Sequence, residues 1–251
     1  KEHMGGYLQD QFFREKKGMK YAPYSREVSE QVEDLLITAM KQSDRYRILK
    51  KEGMNDAGIL KNFKEEKVEM KVFSWEHREI DTLMTPWDSI RYHKNFLRTG
   101  FMAMDPLTGH VKAYVGGPDF KFFKYDMVST GKRQIGSTIK PYLYTLAMEE
   151  GMTPCDGMIH GPVTLMTETG EEWTPRNPGH SSGDFVTIKW GLQRSSNWVT
   201  AYLMKQFSPY AFARMLSSFG LKTPADPVVS LALGPNEASV YEMVSGWNRY
   251  W

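Results

Sequence analysis

Apolar residues recur along this chain with two periods, helical and alternating, and each period predicts a different kind of element. Val28, Val32, Leu35, Leu36 and Met40 share one helical stripe between charged positions. That stripe predicts an amphipathic helix packed on a partner surface, with Ser25 as its cap. Residues 1 to about 20, where Tyr7, Phe12 and Phe13 sit among charges, predict a preceding helix ended by Pro23. From Gln42 to Lys67 the chain is charged and weakly periodic, consistent with one helix ending near Lys64. Val68, Met70 and Val72 then alternate with Glu69 and Lys71, and Ile80, Thr82 and Met84 resume that period after Trp75 to Arg78. The spacing predicts a small hairpin over 68–84. Thr85-Pro86-Trp87-Asp88-Ser89 opens a helix from Trp87 to about Arg98.

The second half mixes the two periods. Phe101 to Met104 and Val111 to Val115 flank Asp105-Pro106-Leu107-Thr108-Gly109, two strand-like runs joined by a turn, and Gly116-Gly117 ends them. Tyr142, Leu143, Leu146 and Ala147 return to helical spacing, with Gly151 as the stop. Gly136 makes a hinge before that helix and Pro141 suits its first turn, so Ser137 and Lys140 fall at its start. Residues 153–182, rich in Gly, Pro, Thr and Asp, predict an ordered loop with a short strand near Val163 to Met166. Thr187 to Arg194 and Trp198 to Phe207 are helix-like, with Ser195 to Asn197 at their junction, and Pro209 to Phe219 adds a helix stopped by Gly220. Hairpin-like and helical stretches thus alternate along the chain.

Composition narrows the function. The 251 residues, 41% hydrophobic and 25% charged, have room for one large domain and a smaller appendage. A net charge of +2 gives no footprint for nucleic acid. The lysines between Arg14 and Lys20 read as a solvated helix face. Cys155 is the only cysteine, and the six histidines show no ligand spacing, so neither an internal disulfide nor a metal site is expected, and no cofactor. No apolar run approaches the length of a membrane span, and no signal peptide is visible. The opening Lys1-Glu2-His3 reads as a start within a longer chain.

The candidate chemistry lies at Ser137 and Lys140. A three-residue gap on a helix puts the hydroxyl and the amine on one face, within mutual reach. The amine activates the serine only when it is neutral. An ordinary lysine titrates at about 10.4, so burial or a neighbouring cation must lower that by roughly three, about 4 kcal/mol. Alone, Ser-x-x-Lys is more often a helix cap followed by a solvated lysine. Here a second triplet, Ser195-Ser196-Asn197, follows downstream. Ser195 also has a plain alternative as a helix cap. Ser-x-x-Lys, Ser-x-Asn and Lys-Thr-Gly together are a known signature of penicillin-binding proteins and related β-lactamases.

The surrounding residues carry a resemblance. Phe123-Lys124-Tyr125-Asp126 and Gly131 through Pro141 resemble the nucleophile region of class A penicillin-binding proteins. So do Trp173-Thr174-Pro175-Arg176-Asn177, Val186 through Leu192 leading into the triplet, and Leu231-Ala232-Leu233-Gly234. The similarity runs from about Phe101 to about Ser245, and residues 1–98 resemble the linker between that family's two enzymatic domains. The resemblance implies an α+β architecture, the penicillin-recognising serine transpeptidase fold with an antiparallel sheet flanked by helices beside a helical lobe, in residues 99–251. It implies a peptidoglycan D,D-transpeptidase acting on D-Ala-D-Ala stem peptides, inhibited by β-lactams. Ser137 would be the nucleophile, Lys140 the base and Ser195 a proton relay. Asn197, Trp173, Asn177 and Gly136 would bind substrate or shape the cleft, with Asn197 also in contact with Lys140, although Trp173 reads equally as an anchor holding its loop to the core. The parent would also carry a glycosyltransferase domain and a membrane anchor, and would work on the extracytoplasmic face of the inner membrane.

One part of the signature is missing. Lys-Thr/Ser-Gly does not occur at the expected place; Gly131-Lys132 is elsewhere and Lys222-Thr223-Pro224 lacks the glycine. The chain therefore reads as C-terminally incomplete, which puts its own activity in doubt. Two rival readings remain: a same-fold hydrolase (a D,D-carboxypeptidase or β-lactamase) and a non-catalytic penicillin-fold module.

Overall fold

A computed structural model describes residues 3–24, 26–178 and 183–250. The chain divides into two units, Lys1–Thr99 with Pro118–Lys124, and Gly100–Gly117 with Tyr125–Trp251. In the first unit a π-helical turn Met4–Leu8 runs into α1 (Gln9–Lys16), and a 3-10 turn Arg26–Gln31 leads into α2 (Val32–Lys41). Ser25, the expected cap of α2, lies outside the described residues. On the expected stripe Leu36 and Met40 are buried, but Leu35 is exposed. It sits one helical step, about 100°, from Leu36, and Ile37 packs in its stead.

The charged stretch after Lys41 holds two helices rather than one: α3 (Asp44–Lys51) and α4 (Asp56–Glu65). Each has its own N-cap. Ser43 accepts from the Tyr46 N–H and Asn55 from the Gly58 N–H, which satisfies donors that a continuous helix would not leave open. Ile59 and Phe63 of α4 close over Met40, forming an apolar core in this unit. β1 (Val68–Ser74) and β2 (Arg78–Met84) form the antiparallel hairpin, with Val68 opposite Met84. α5 (Pro86–Lys94) is capped by Thr85 and ends earlier than the pattern suggested, where the Asn95 side chain donates to the Arg91 carbonyl. Phe73, Phe96 and Phe123 pack edge-to-face beside it.

The second unit opens with the hairpin of β3 (Phe101–Met104) and β4 (Val111–Val115). β5 (Lys132–Gln134) precedes α6 (Lys140–Glu149). The loop-rich stretch contributes β6 (Gly157–Ile159), β7 (Leu165–Met166), β8 (Glu172–Trp173) and β9 (Phe185–Thr187). Its expected strand near 163–166 is therefore only two residues long. α7 (Ile188–Gln193), α8 (Asn197–Gln206), α9 (Pro209–Ser218), β10 (Glu237–Ser239) and α10 (Val240–Trp247) complete the unit. Among the described residues the strands pair two at a time, always antiparallel: β1 with β2, β3 with β4, β5 with β10, β6 with β9 and β7 with β8.

α6 is the centre of this unit's core. Tyr142, Leu143, Tyr144, Leu146 and Ala147 are buried, so the helix is enclosed on most sides by α7, α8 and α9. Leu143, Leu203 and Phe212 are fully buried, each adding about 1.5–3 kcal/mol. This packing fixes the start of α6, and with it Lys140. The turn before α6 is held from the other side. Gly136 N–H donates to the Gly234 carbonyl (3.0 Å) and Ile135 N–H to the Asn236 carbonyl (3.1 Å). Gly234 has φ +72°, and a Cβ there would lie 2.2 Å from the Gly136 carbonyl oxygen. Only glycine fits this close approach.

Candidate active site

Ser137 lies in a 3-10 turn, Gly136–Ile139, that runs directly into α6. The Lys140 N–H closes that turn on the Ser137 carbonyl, and the Thr138 hydroxyl donates to Ile135 O (2.5 Å). Gly136 has φ +51°, the left-handed hinge that lets β5 end and the turn begin. The Ser137 side chain is exposed, whereas Lys140, one turn on, is 1% exposed.

A buried lysine must have its amine hydrogen-bonded. Lys140 Nζ donates to the Ser195 carbonyl (2.6 Å), to Asn197 Oδ1 (2.8 Å) and to Ser195 Oγ (3.1 Å). Burial holds it below the usual lysine range, at about 8. About one amine in ten is then neutral at pH 7. In that form two N–H bonds still satisfy the carbonyl and the amide oxygen, which can only accept. The lone pair is left facing the Ser195 hydroxyl, which can donate. The cluster therefore accommodates both protonation states with the amine in place.

The three acceptors are presented by the end of one helix and the start of the next. α7 closes with Ser195 N–H on Leu192 O (3.0 Å) and Ser196 N–H on Gly191 O (2.8 Å), the paired bonds of a Schellman stop. The stop requires a left-handed residue, and Ser195 takes it at φ +54° where glycine would be the unstrained choice. That conformation turns the Ser195 carbonyl and hydroxyl to one amine. The capping role falls to Ser196, fully buried, whose hydroxyl accepts the Val199 N–H (3.3 Å). Ser195 is therefore not the cap of α8.

A loop preceding β9 holds Asn197. Asn177 Oδ1 accepts the Asn197 N–H (2.8 Å), Asn197 Nδ2 donates to the Arg176 carbonyl (2.7 Å) and Trp198 Nε1 donates to the Pro175 carbonyl (3.1 Å). Because the Arg176 carbonyl only accepts, the Asn197 amide is oriented with its oxygen toward Lys140.

The comparisons with known proteins converge on one family. The family model of the penicillin-binding protein transpeptidase domain matches residues 99–231, and that of the penicillin-binding protein middle domain matches residues 19–97. The chain belongs to the penicillin-binding protein transpeptidase family. Relatives include penicillin-binding protein 1A of Neisseria lactamica, 29% identical over 61% of this chain and 20% of the relative. That of Escherichia coli is 31% identical over 60% of this chain and 18% of its own length. The matched segment thus spans about a fifth of these relatives. The crystal structure of penicillin-binding protein 1A from Haemophilus influenzae superposes with a TM-score of 0.56 at 23% identity, covering 61% of this chain and 23% of that one. Penicillin-binding protein 2 of Pseudomonas aeruginosa gives 0.51 at 18% identity, over 60% of this chain and 44% of that one. At such identities the likeness establishes the penicillin-binding transpeptidase fold, an α+β arrangement.

Within this family fold, the sequence-predicted residues fall into three groups. Lys140, Ser195 and Asn197 meet directly, and Asn177 holds the backbone of Asn197. Ser137 is one helical turn from Lys140, but the expected hydroxyl–amine hydrogen bond is not formed. All three bonds of the amine go to Ser195 and Asn197. The physical reason is competition: a carbonyl, an amide oxygen and a hydroxyl on the facing loop outbid one exposed hydroxyl on the lysine's own turn. Trp173 stands in β8, half-buried and packed against the core, and is not part of the hydrogen-bonded cluster.

Two buried polar residues, His160 and Glu242, escaped the sequence reading, and Gly234 was read only as part of the resemblance. His160, buried, places Nε2 3.1 Å from Ser196 Oγ. Gly234 braces the Ser137 turn through Gly136. Glu242, in the first turn of α10, gathers the N–H groups of Lys222 and Thr223 and the Thr223 hydroxyl, so its carboxylate clamps Lys222-Thr223 to that helix. The Ser239-x-x-Glu242 capping box was the one legible sign of the last. Among the described residues no group of three His, Cys, Asp or Glu is placed to hold a metal ion, and no helix is long and apolar enough to cross a membrane.

Proposed function

We propose that this chain is the acyl-enzyme-forming part of a penicillin-binding D,D-transpeptidase that cross-links peptidoglycan stem peptides. The observation that carries the reading is the buried amine of Lys140, held by Ser195 and Asn197 one helical turn from an exposed serine hydroxyl. Ser137 Oγ attacks the carbonyl of the terminal D-Ala-D-Ala bond, and its proton passes to neutral Lys140, whose lone pair turns from the Ser195 hydroxyl to take it. The Ser137 N–H supplies one oxyanion donor. Collapse of the tetrahedral intermediate breaks the peptide bond. The departing D-alanine amine takes its proton from Lys140 through Ser195. An amine of a second stem peptide then attacks the Ser137 ester, forming the cross-link and returning the hydroxyl. Membership of the family, and relatives named penicillin-binding protein 1A, support β-lactams as inhibitors and work in the cell wall, outside the cytoplasmic membrane. By the same reading the whole protein carries a glycosyltransferase domain and a membrane anchor.

The test is intact-protein mass after exposing the full-length protein to a penicillin. The wild type should gain one adduct, on Ser137, that persists for minutes or longer, and Ser137→Ala should gain none while keeping its melting temperature. Equal labelling of Ser137→Ala would remove Ser137 as nucleophile. An adduct lost within seconds would assign a hydrolase.

A further inference from the structure

We propose that His160 is a positioning residue for the Ser195-Ser196-Asn197 triplet, acting through Ser196 and Asn177 as a hydrogen-bond acceptor. It follows β6 and is pinned by its backbone, donating to the Asp184 carbonyl (2.8 Å) and accepting from the Gly183 N–H (2.8 Å). Its ring is 2% exposed and lies against the indoles of Trp190 (centroids 5.1 Å apart) and Trp198 (4.8 Å). Nε2 is 3.1 Å from Ser196 Oγ and 3.4 Å from Asn177 Nδ2.

Donor and acceptor counting fixes the role of that nitrogen. The Asn197 backbone N–H can only donate, so the Asn177 atom 2.8 Å from it must be the amide oxygen. The other end of that amide, an NH2, therefore faces His160. Two donors cannot share a hydrogen bond, so Nε2 carries no hydrogen and accepts, and the ring proton sits on Nδ1. Ser196 Oγ uses a lone pair for the Val199 N–H (3.3 Å), which leaves its own hydrogen for Nε2. One ring nitrogen thus sets two orientations. Through Asn177 it aligns the N–H of Asn197, whose Oδ1 receives Lys140 Nζ at 2.8 Å. Through Ser196 it locks the residue directly after Ser195. Neither step brings His160 into contact with a reacting atom. Its effect is on where the amine is held, and outer-shell partners of this kind act on geometry.

The kinetic arm of the test rests on the reading of Ser137 and Lys140 given above; the spectroscopic arm does not. In the wild-type full-length protein, 15N NMR of the imidazole should show the Nδ1–H tautomer with an accepting Nε2. A ring protonated on Nε2 at neutral pH would overturn the proposal without any variant. His160→Leu removes the acceptor, and His160→Gln returns an amide oxygen near the position of Nε2. His160→Leu should slow the acylation step by a penicillin about 10- to 100-fold, with little change in its binding, and should shift the titration of the Lys140 amine. His160→Gln should recover the rate to within about threefold, at a melting temperature equal to that of His160→Leu. Acylation by His160→Leu at the wild-type rate, or a folded His160→Gln as slow as His160→Leu, would overturn it. A wild type that does not acylate at all would count against the nucleophile reading instead, and the tautomer would then decide this one.

Discussion

A lysine can act as a base near neutral pH only when its surroundings make the ammonium costly, and at Lys140 burial does so. The sign is definite. The rate of Ser137 acylation should rise with pH, reach half its limit near 8, where the amine titrates, and level off above. A profile flat between pH 6 and 9 would sever Lys140 from the rate. Stability follows the same group. Its folded value lies below the unfolded lysine range, so between about 8 and about 10.4 the unfolded chain binds more protons than the folded one. The penalty for burying the charge is complete below 8 and relieved as pH rises through that window. At this scale Ser137, Lys140, Ser195 and Asn197 were legible as residues. Their partnerships were not legible from spacing, which pointed Lys140 at Ser137; only the family resemblance linked Ser195 and Asn197, from another part of the chain, to the amine.

At the scale of elements, the end of α7 decides what Ser195 can do. A Schellman stop with serine in the left-handed position costs about 1 kcal/mol or more relative to glycine. Strain of this kind persists where the surrounding structure enforces it. Ser195→Gly should therefore raise stability by about 1 kcal/mol in denaturant titration while slowing acylation at Ser137 by tenfold or more. A variant that loses stability would show that the hydroxyl, and not the helix stop, holds this junction. The hairpins at 68–84 and 101–115 and the helices after Pro86, Lys140 and Pro209 were legible from period and proline position, because their signals are local. β5 and β10 were not. Each is three residues long, and they are strands only because they pair with one another across a hundred positions of sequence. The split into α3 and α4 was written in Ser43 and Asn55, two caps inside a charged stretch whose weak periodicity masked them.

Over the whole molecule, each unit has a core of its own: Met40, Ile59 and Phe63 in the first, and the α6-centred cluster in the second. Phe63→Ala, which empties a fully buried site, should cost about 3–5 kcal/mol. Amide exchange should then quicken from Met40 to Phe63 while Ile139 to Ala147 keep their protection. Equal loss in both stretches would make the chain a single cooperative unit. What the sequence determined by itself was the material of the site and its family: a serine and a lysine at the head of an apolar helix, and a Ser-x-Asn triplet at a helix junction. What only the tertiary structure decided was the direction in which each polar group is satisfied. Lys140 turns to Ser195 and Asn197, Ser196 takes the cap, His160 and Asn177 set the amide, and Gly234 closes on Gly136. Helical and strand periods are written over a few residues, but the acceptor for a buried donor is chosen among all groups that packing brings within 3 Å, and that choice exists only once the chain has folded.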